Sequence, residues 1–352
     1  LTVMNETHKE KLAAFIRSGI NDSAVTPRYD PFWQALRSTG TELWLDTGDI
    51  DEAEANWSGE MSALTTNNTL LNNEIQKGIY DVFISEARHI VHELPLESRV
   101  KEIAFMLNAR HGLRLASKFG GYVSVELHTD TANDVKAIEY LGKRYHEICP
   151  DQFIIKVPFT AAGLIGARRL KEAGVRINFT LEFSARQNLL VTRAARPDFV
   201  NVFLGRVGAY MMDNKLGDGS GAGEKAVIAS QNWVTAFSER NDWQTKLIAA
   251  SLRHHNQLEL LAGTDVFTMP PKVAAAGRKS IVFCPPCSAP CAALSTLTPV
   301  APSKSCTSAT SSFTSSTACG QEIAGEPLAN VAVPPAHGGP PACSSSTRIV
   351  AP

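Results

Sequence analysis

Phe153-Ile154-Ile155-Lys156-Val157-Pro158 is an apolar run of six residues interrupted by one cation. Its Ile and Val content reads as a parallel strand buried on both faces, the kind that helices cover in an α/β fold. An ammonium in such a run is tolerated only if it loses its proton or finds a partner. A deprotonated lysine is a good nucleophile for a carbonyl carbon and gives a Schiff base. The plainer readings are a strand-end lysine whose stem snorkels to water, or a structural ion pair. The surrounding sequence bears on which applies.

Seven further strand-like runs flank this one: Leu43–Thr47, Ala63–Asn67, Tyr122–Leu127, Arg176–Leu181, Phe199–Leu204, Lys246–Leu252 and Asp265–Met269. Helical patterns separate most of them. Thr160 suits the N-cap of a helix Ala161–Ala173, with Gly174 at the left-handed position beyond it. Asp130 is expected to cap a helix through His146, Ser184 one from Ala185 to Ala194, and Gly263 closes Asn256–Ala262. The link from the second strand to the third has room for two helices, Asn72–Ile90 and Leu96–Ala116. Eight alternations favour a closed (β/α)8 TIM barrel over an open doubly wound sheet. Residues 1–278 form that domain, with a helical extension over about residues 1–40.

In such a barrel the chemistry gathers at the C-terminal ends of the strands. Asp46 lies near the end of the first strand, Asn67 ends the second, Glu126 is late in the third and Lys156 late in the fourth. Asn178 and Thr180 share one face of the fifth, as Ser124 and Glu126 share one face of the third. Two carboxylates, a lysine, two amides and a hydroxyl then converge on one end. Six polar groups at matched heights are too many for core packing, since each would need its own partner.

The 352 residues carry a formal net charge of -1, which gives no electrostatic reason to expect nucleic acid or an anionic membrane as partner. No apolar stretch is long enough to span a bilayer, and the first residues lack the basic-then-apolar order of an export signal. Composition breaks near Arg278. Six of the seven cysteines and many of the prolines lie beyond it, among Ser/Thr clusters without helical or strand period. Residues 279–352 therefore read as low-complexity sequence, either disordered or translated out of frame. On that reading the helix that should cover the eighth and first strands is missing. Cys284-Pro285-Pro286-Cys287 and Cys291 lack a second ligand pair, so neither a zinc site nor a redox motif is expected. Up to Arg278 the chain is cysteine-poor, as cytoplasmic proteins are.

Several ordered motifs resemble the transaldolases, Schiff-base aldol-transfer enzymes of the pentose phosphate pathway. They are Leu43-Trp44-Leu45-Asp46-Thr47, Leu64-Thr65-Thr66-Asn67, Val123-Ser124-Val125-Glu126, Ile155-Lys156-Val157-Pro158, Asn178-Phe179-Thr180-Leu181, Gly205-Arg206 and Ala250-Ser251-Leu252-Arg253. The resemblance covers roughly residues 30 to 275. It implies that Lys156 forms the Schiff base, that Glu126 works through a water as general acid/base, and that Asp46 handles the donor hydroxyl proton. It further implies that Asn67, Asn178 and Thr180 hold substrate hydroxyls and the catalytic water, and that Arg206 and Arg253 bind phosphate. Four positions depart from the pattern. Asn68 replaces a proline, Phe159 a small residue and Glu182 an apolar one, and Asn201 stands where a serine often helps bind phosphate. The implied reaction moves a three-carbon unit from sedoheptulose 7-phosphate to glyceraldehyde 3-phosphate, with sugar phosphates as ligands and no cofactor or metal. A fructose-6-phosphate-type aldolase is the alternative, as is an inactive product lacking its C-terminal helix. A homodimer is compatible with the sequence, which does not fix oligomeric state.

Overall fold

The computed structural model describes residues 6–281. Eight parallel strands close on themselves in sequence order: β1 (Glu42–Asp46), β2 (Met61–Thr65), β3 (Tyr122–Glu126), β4 (Phe153–Pro158), β5 (Ile177–Thr180), β6 (Phe199–Phe203), β7 (Lys246–Ala250) and β8 (Val266–Met269). The seam is made by β8 against β1, from Glu42 opposite Val266 to Leu45 opposite Met269. Helices α1 (Glu6–Arg17) and α2 (Pro31–Ser38) precede the barrel. Helix α3 (Ile50–Asn56) follows β1, and α4 (Asn68–Gln76), α5 (Asp81–Ile90) and α6 (Leu96–Phe119) follow β2. The rest of the outer ring is α7 (Val135–Ile148), α8 (Ala161–Glu172), α9 (Ala185–Ala195), α10 (Leu204–Asp213), α11 (Ala222–Asn241), α12 (Asn256–Leu260) and α13 (Pro271–Ser280).

Period-two alternation divides the strand side chains between two cores. One face of each strand packs outward beneath the helices, as with Leu43, Leu45, Val123, Val125, Ile155, Val157, Ile177 and Phe179. The other face fills the barrel. Trp44, Ala63, Ile154, Ile248, Ala250 and Val266 form its apolar interior, where Trp44 meets Phe199 edge-on at 4.6 Å. Two residues further along β1, β3 and β4 the same face carries Asp46, Glu126 and Lys156. Strand register aligns Glu126 with Lys156 and Lys156 with Asn178, so three neighbouring strands hold their polar groups in one row.

Several caps match the sequence reading. Thr160 Oγ1 accepts from Gly163 N at 2.8 Å and Ser184 Oγ from Gln187 N, while Gly174 has φ +83°. Other expectations are corrected. Three helices, not two, link β2 to β3, because Asn67 caps a helix that begins at once after the strand. Helix α7 starts at Val135, since Asp134 accepts from the N–H groups of Lys136 and Ala137, whereas Asp130 sits in a 3-10 turn. The expected loss of the last helix is also wrong. Pro271 opens α13, and Pro271, Val273, Ala274 and Gly277 are buried. A Cβ on Gly277 would lie 2.6 Å from Leu258 Cδ1, and Arg278 pairs with Asp30 at 2.6 Å. Small residues let this helix press on the ring, which hides it from a search for large apolar side chains. The expectations for the tail past Ile281, including Cys284, Cys287 and Cys291, lie outside the described residues. Among the described residues no helix is long and apolar enough to cross a membrane.

Candidate active site

Lys156 is 7% exposed, deep in the polar end of the barrel. Its Nζ lies 3.7 Å from Glu126 Oε1 and 3.4 Å from the carbonyl of Thr66. The opposite oxygen of Glu126, Oε2, accepts from both the backbone N–H and the side-chain amide of Asn68, each at 3.1 Å. The backbone carbonyl of Glu126 accepts from Asn108 Nδ2 on α6 at 2.9 Å, which ties that helix to the end of β3. The lysine therefore sits beside an anchored carboxylate.

Asp46 occupies the same layer. Burial pushes its carboxyl above the usual range; the charge of Lys156 and a hydrogen bond from Thr65 pull it back, Glu126 adds an upward push and Arg206 a downward one. Thr65 Oγ1 donates to Asp46 Oδ1 at 2.8 Å and meets Thr268 Oγ1 at 2.6 Å. A hydroxyl has one proton to give, so Thr268 is the donor to Thr65 when Thr65 donates to an ionised Asp46. Sequence reading missed both threonines. Their alternation with apolar residues on β2 and β8 was the available signal.

A second network runs along the wall. Asn178 Nδ2 donates to Ser124 Oγ at 2.9 Å, and Asn201 Nδ2 donates to Asn178 Oδ1 at 2.6 Å and to the carbonyl of Phe179. Asn178 is thus locked in orientation, with Thr180 buried two residues beyond. Asn201 is 2% exposed and its amide protons serve this internal network, whereas Arg206 and Arg253 are both exposed. Asn67 lies past the end of β2, where its Oδ1 accepts from Leu70 N at 2.9 Å and caps α4. Phe159 packs edge-on against Phe179 at 6.5 Å.

Arg206 and Arg253 reach the barrel mouth from different strands. Helix α10 begins directly where β6 ends, so Arg206 falls in its first turn, and no side chain caps that terminus. Arg253 follows β7, and its loop is pinned by Gln257, whose Oε1 accepts from Arg253 N and His254 N and whose Nε2 donates to Glu224 at 2.6 Å. Gly205 lies between them. A Cβ there would stand 2.3 Å from the Ser251 carbonyl oxygen and 2.6 Å from Arg253 Nε, so the close approach requires glycine. Two guanidiniums near a helix N-terminus that no side chain caps are groups whose chemistry suits an anion.

Glu182, just past β5, is fully buried, and neither carboxyl oxygen has a partner within hydrogen-bonding geometry among the described residues. Burial pushes it well above the usual carboxylate range. The N–H groups of Glu182 and Asn201 and the charge of Lys156 offset this only in part. A cleft of about 470 Å³ elsewhere, lined by Tyr80, Phe83, Arg110 and Arg114, has its cations already engaged. Arg114 binds Asp22 through two nitrogens, and Arg110 donates to the carbonyls of Ile16 and Ser18.

The fold and site are those of a parallel eight-stranded barrel with a lysine and a carboxylate 3.7 Å apart among the residues at the C-terminal ends of its strands. The chain belongs to the Transaldolase/Fructose-6-phosphate aldolase family, whose sequence profile matches residues 43–283. It is 35% identical over 233 residues to a "Probable transaldolase" of Thermus thermophilus, covering 65% of this chain and 86% of that one. A "Probable transaldolase" of Pelotomaculum thermopropionicum is 30% identical over 236 residues, 66% of this chain and 87% of its own. A "Transaldolase" of Xanthomonas euvesicatoria is 28% identical over 235 residues, 64% and 71% of the two chains.

Proposed function

We propose that this enzyme moves a dihydroxyacetone unit between sugar phosphates through a Schiff base on Lys156. The observation that carries the reading is Lys156 Nζ 3.7 Å from Glu126 Oε1, in a layer shared with Asp46. Lys156 in its amine form attacks the C2 carbonyl of a ketose phosphate. Glu126, directly or through a water, delivers the proton that lets the carbinolamine hydroxyl leave as water. The resulting iminium is an electron sink. Asp46 takes the C4 hydroxyl proton, the C3–C4 bond breaks into the iminium, and an aldose phosphate departs. A carboxyl raised by burial is a stronger base than an ordinary one, which suits that step. The enamine then attacks the carbonyl of the acceptor, Asp46 returns the proton, and water releases the product from Lys156.

Arg206, Arg253 and the first turn of α10 hold the substrate phosphate in this reading. Asn178, Thr180 and Asn67 meet the hydroxyls. Asn201 acts by fixing Asn178. The donor is sedoheptulose 7-phosphate and the acceptor glyceraldehyde 3-phosphate, giving erythrose 4-phosphate and fructose 6-phosphate in the non-oxidative pentose phosphate pathway of the cytoplasm. The family match, the named relatives and the cysteine-poor barrel sequence support this assignment.

The test is to incubate the protein with fructose 6-phosphate, reduce with borohydride and map the added mass. We expect a three-carbon adduct on Lys156, lost together with turnover in Lys156→Ala. An adduct of equal yield on another lysine refutes the mechanism. Omitting the acceptor separates transfer from simple cleavage: sustained release of free dihydroxyacetone assigns the aldolase reaction instead.

A further inference from the structure

We propose that Asn68 is the residue that aims Glu126 at Lys156. This rests on the Schiff-base reading above and goes beyond it. Glu126 ends β3 on the rim of the barrel, partly open to the mouth, where a free carboxylate could rotate. Asn68 prevents this by making two bonds to the same oxygen. Its backbone N–H and its Nδ2 each reach Oε2 at 3.1 Å. The same Nδ2 also donates to the carbonyl of Leu127 at 3.2 Å, so the amide is fixed on two sides. With Oε2 held by donors, Oε1 is the oxygen presented to Lys156 at 3.7 Å. The two oxygens thereby acquire different tasks, one anchored and one free to exchange a proton with the carbinolamine. Neither donor exists in a proline, so the clamp depends on Asn68 itself.

The position also permits a clean experiment. Asn68 is the first residue of α4, where proline is well tolerated. The preceding Asn67 has φ −153° and ψ 170°, the extended backbone that a following proline requires. Asn68→Pro therefore removes both donors while leaving the helix able to form. Asn68→Ala removes only the side-chain donor. Asn68→Asp is isosteric and favourable for a helix N-terminus, yet sets a like charge against Glu126.

The readouts are the single-turnover rate of borohydride-trapped adduct on Lys156, kcat and KM for fructose 6-phosphate, and the thermal midpoint of each variant. An acid/base group contributes about 10²–10⁴-fold in rate, and losing its aim forfeits part of that. We expect adduct formation and kcat to fall about tenfold in Asn68→Ala and further in Asn68→Pro and Asn68→Asp, on the order of a hundredfold. KM should stay within about twofold, and each variant should still melt cooperatively above the assay temperature. A merely structural role gives the reverse order, with Asn68→Asp the most active variant. Unchanged rates in all three variants, with the parent trapping normally on Lys156, overturn the role of Asn68 alone. Failure of the parent to trap overturns the Schiff-base reading and the role of Asn68 with it.

Discussion

Replacing Glu182 by methionine should stabilise this enzyme, and more so at higher pH. The side chain is fully buried and neither oxygen finds a hydrogen-bond partner among the described residues. A buried polar group left unpartnered costs about 1–3 kcal/mol, and an apolar group of similar shape removes that cost. The pH dependence follows from the raised carboxyl. At low pH both folded and unfolded states carry the proton, so titration contributes nothing. As pH climbs past the ordinary glutamate range the unfolded state ionises while the buried group does not, and the parent loses stability until the folded-state pKa is passed. Glu182→Met has no such loss, so its advantage grows from about pH 4.5 upward. At 2–4 °C per kcal/mol for a barrel of this size, the expected gain near pH 7.5 is roughly 2–12 °C. Thermal melts of both proteins from pH 4.5 to 8.5 would measure it. A variant that melts lower than the parent by the same margin at every pH would refute the argument, because the carboxyl would then be making a native interaction independent of its charge.

Other expectations concern the site and its supports. Gly205→Ala should displace Arg253 and raise KM for phosphorylated donors about tenfold while leaving dihydroxyacetone nearly unaffected, on the magnitude of one charge-assisted hydrogen bond; steady-state kinetics with both substrates decide it. Thr65→Val removes a donor that holds the Asp46 carboxyl down, so the acid limb of the kcat profile should move to higher pH. Its stability loss should be about 1–2 kcal/mol by urea titration. His111 is fully buried, its pKa lowered to about 4 chiefly by burial, with Nδ1 bonded to Tyr80 at 2.8 Å. The unfolded chain takes up a proton near pH 6.5 and the folded one only near 4. Stability should therefore fall across that window by about 3 kcal/mol, a fall that His111→Gln abolishes relative to its own value at neutral pH.

The polar row of the barrel was legible because Lys156 interrupts an apolar strand and the period of two carries Glu126, Asn178 and Asp46 to the same face. Thr160, Ser184 and Gly174 were legible because capping chemistry is local. What escaped depends on contacts distant in sequence. The pairing of Thr65 with Asp46 and Thr268 follows from strand register across a closed barrel, which no local pattern encodes. Asn68 read as a departure because its two bonds to Glu126 span 58 residues. Asn201 stands where a serine often helps bind phosphate, and its bond to Asn178 spans 23 residues, beyond what a local motif encodes. Helix α13 was overlooked because alanine and glycine give it a weak apolar signal, although their size is what lets it dock.

The hydroxyl pair of Thr65 and Thr268 has a consequence for how the enzyme comes into being. Those residues stand 203 positions apart, and the second belongs to the last of the barrel's eight strands among the described residues. Glu126 and Lys156 lie on adjacent strands completed far earlier, so a nascent chain can assemble half of its chemistry before the barrel closes. Asp46, made first of the three, gains its full support last, when β8 docks and Thr268 donates to the Thr65 hydroxyl that in turn donates to the carboxylate. On the proposed mechanism an unfinished or clipped chain could capture a sugar on its lysine but would lack a well-set base to cleave it. On that mechanism, closure of the ring is also the step that commissions the catalyst.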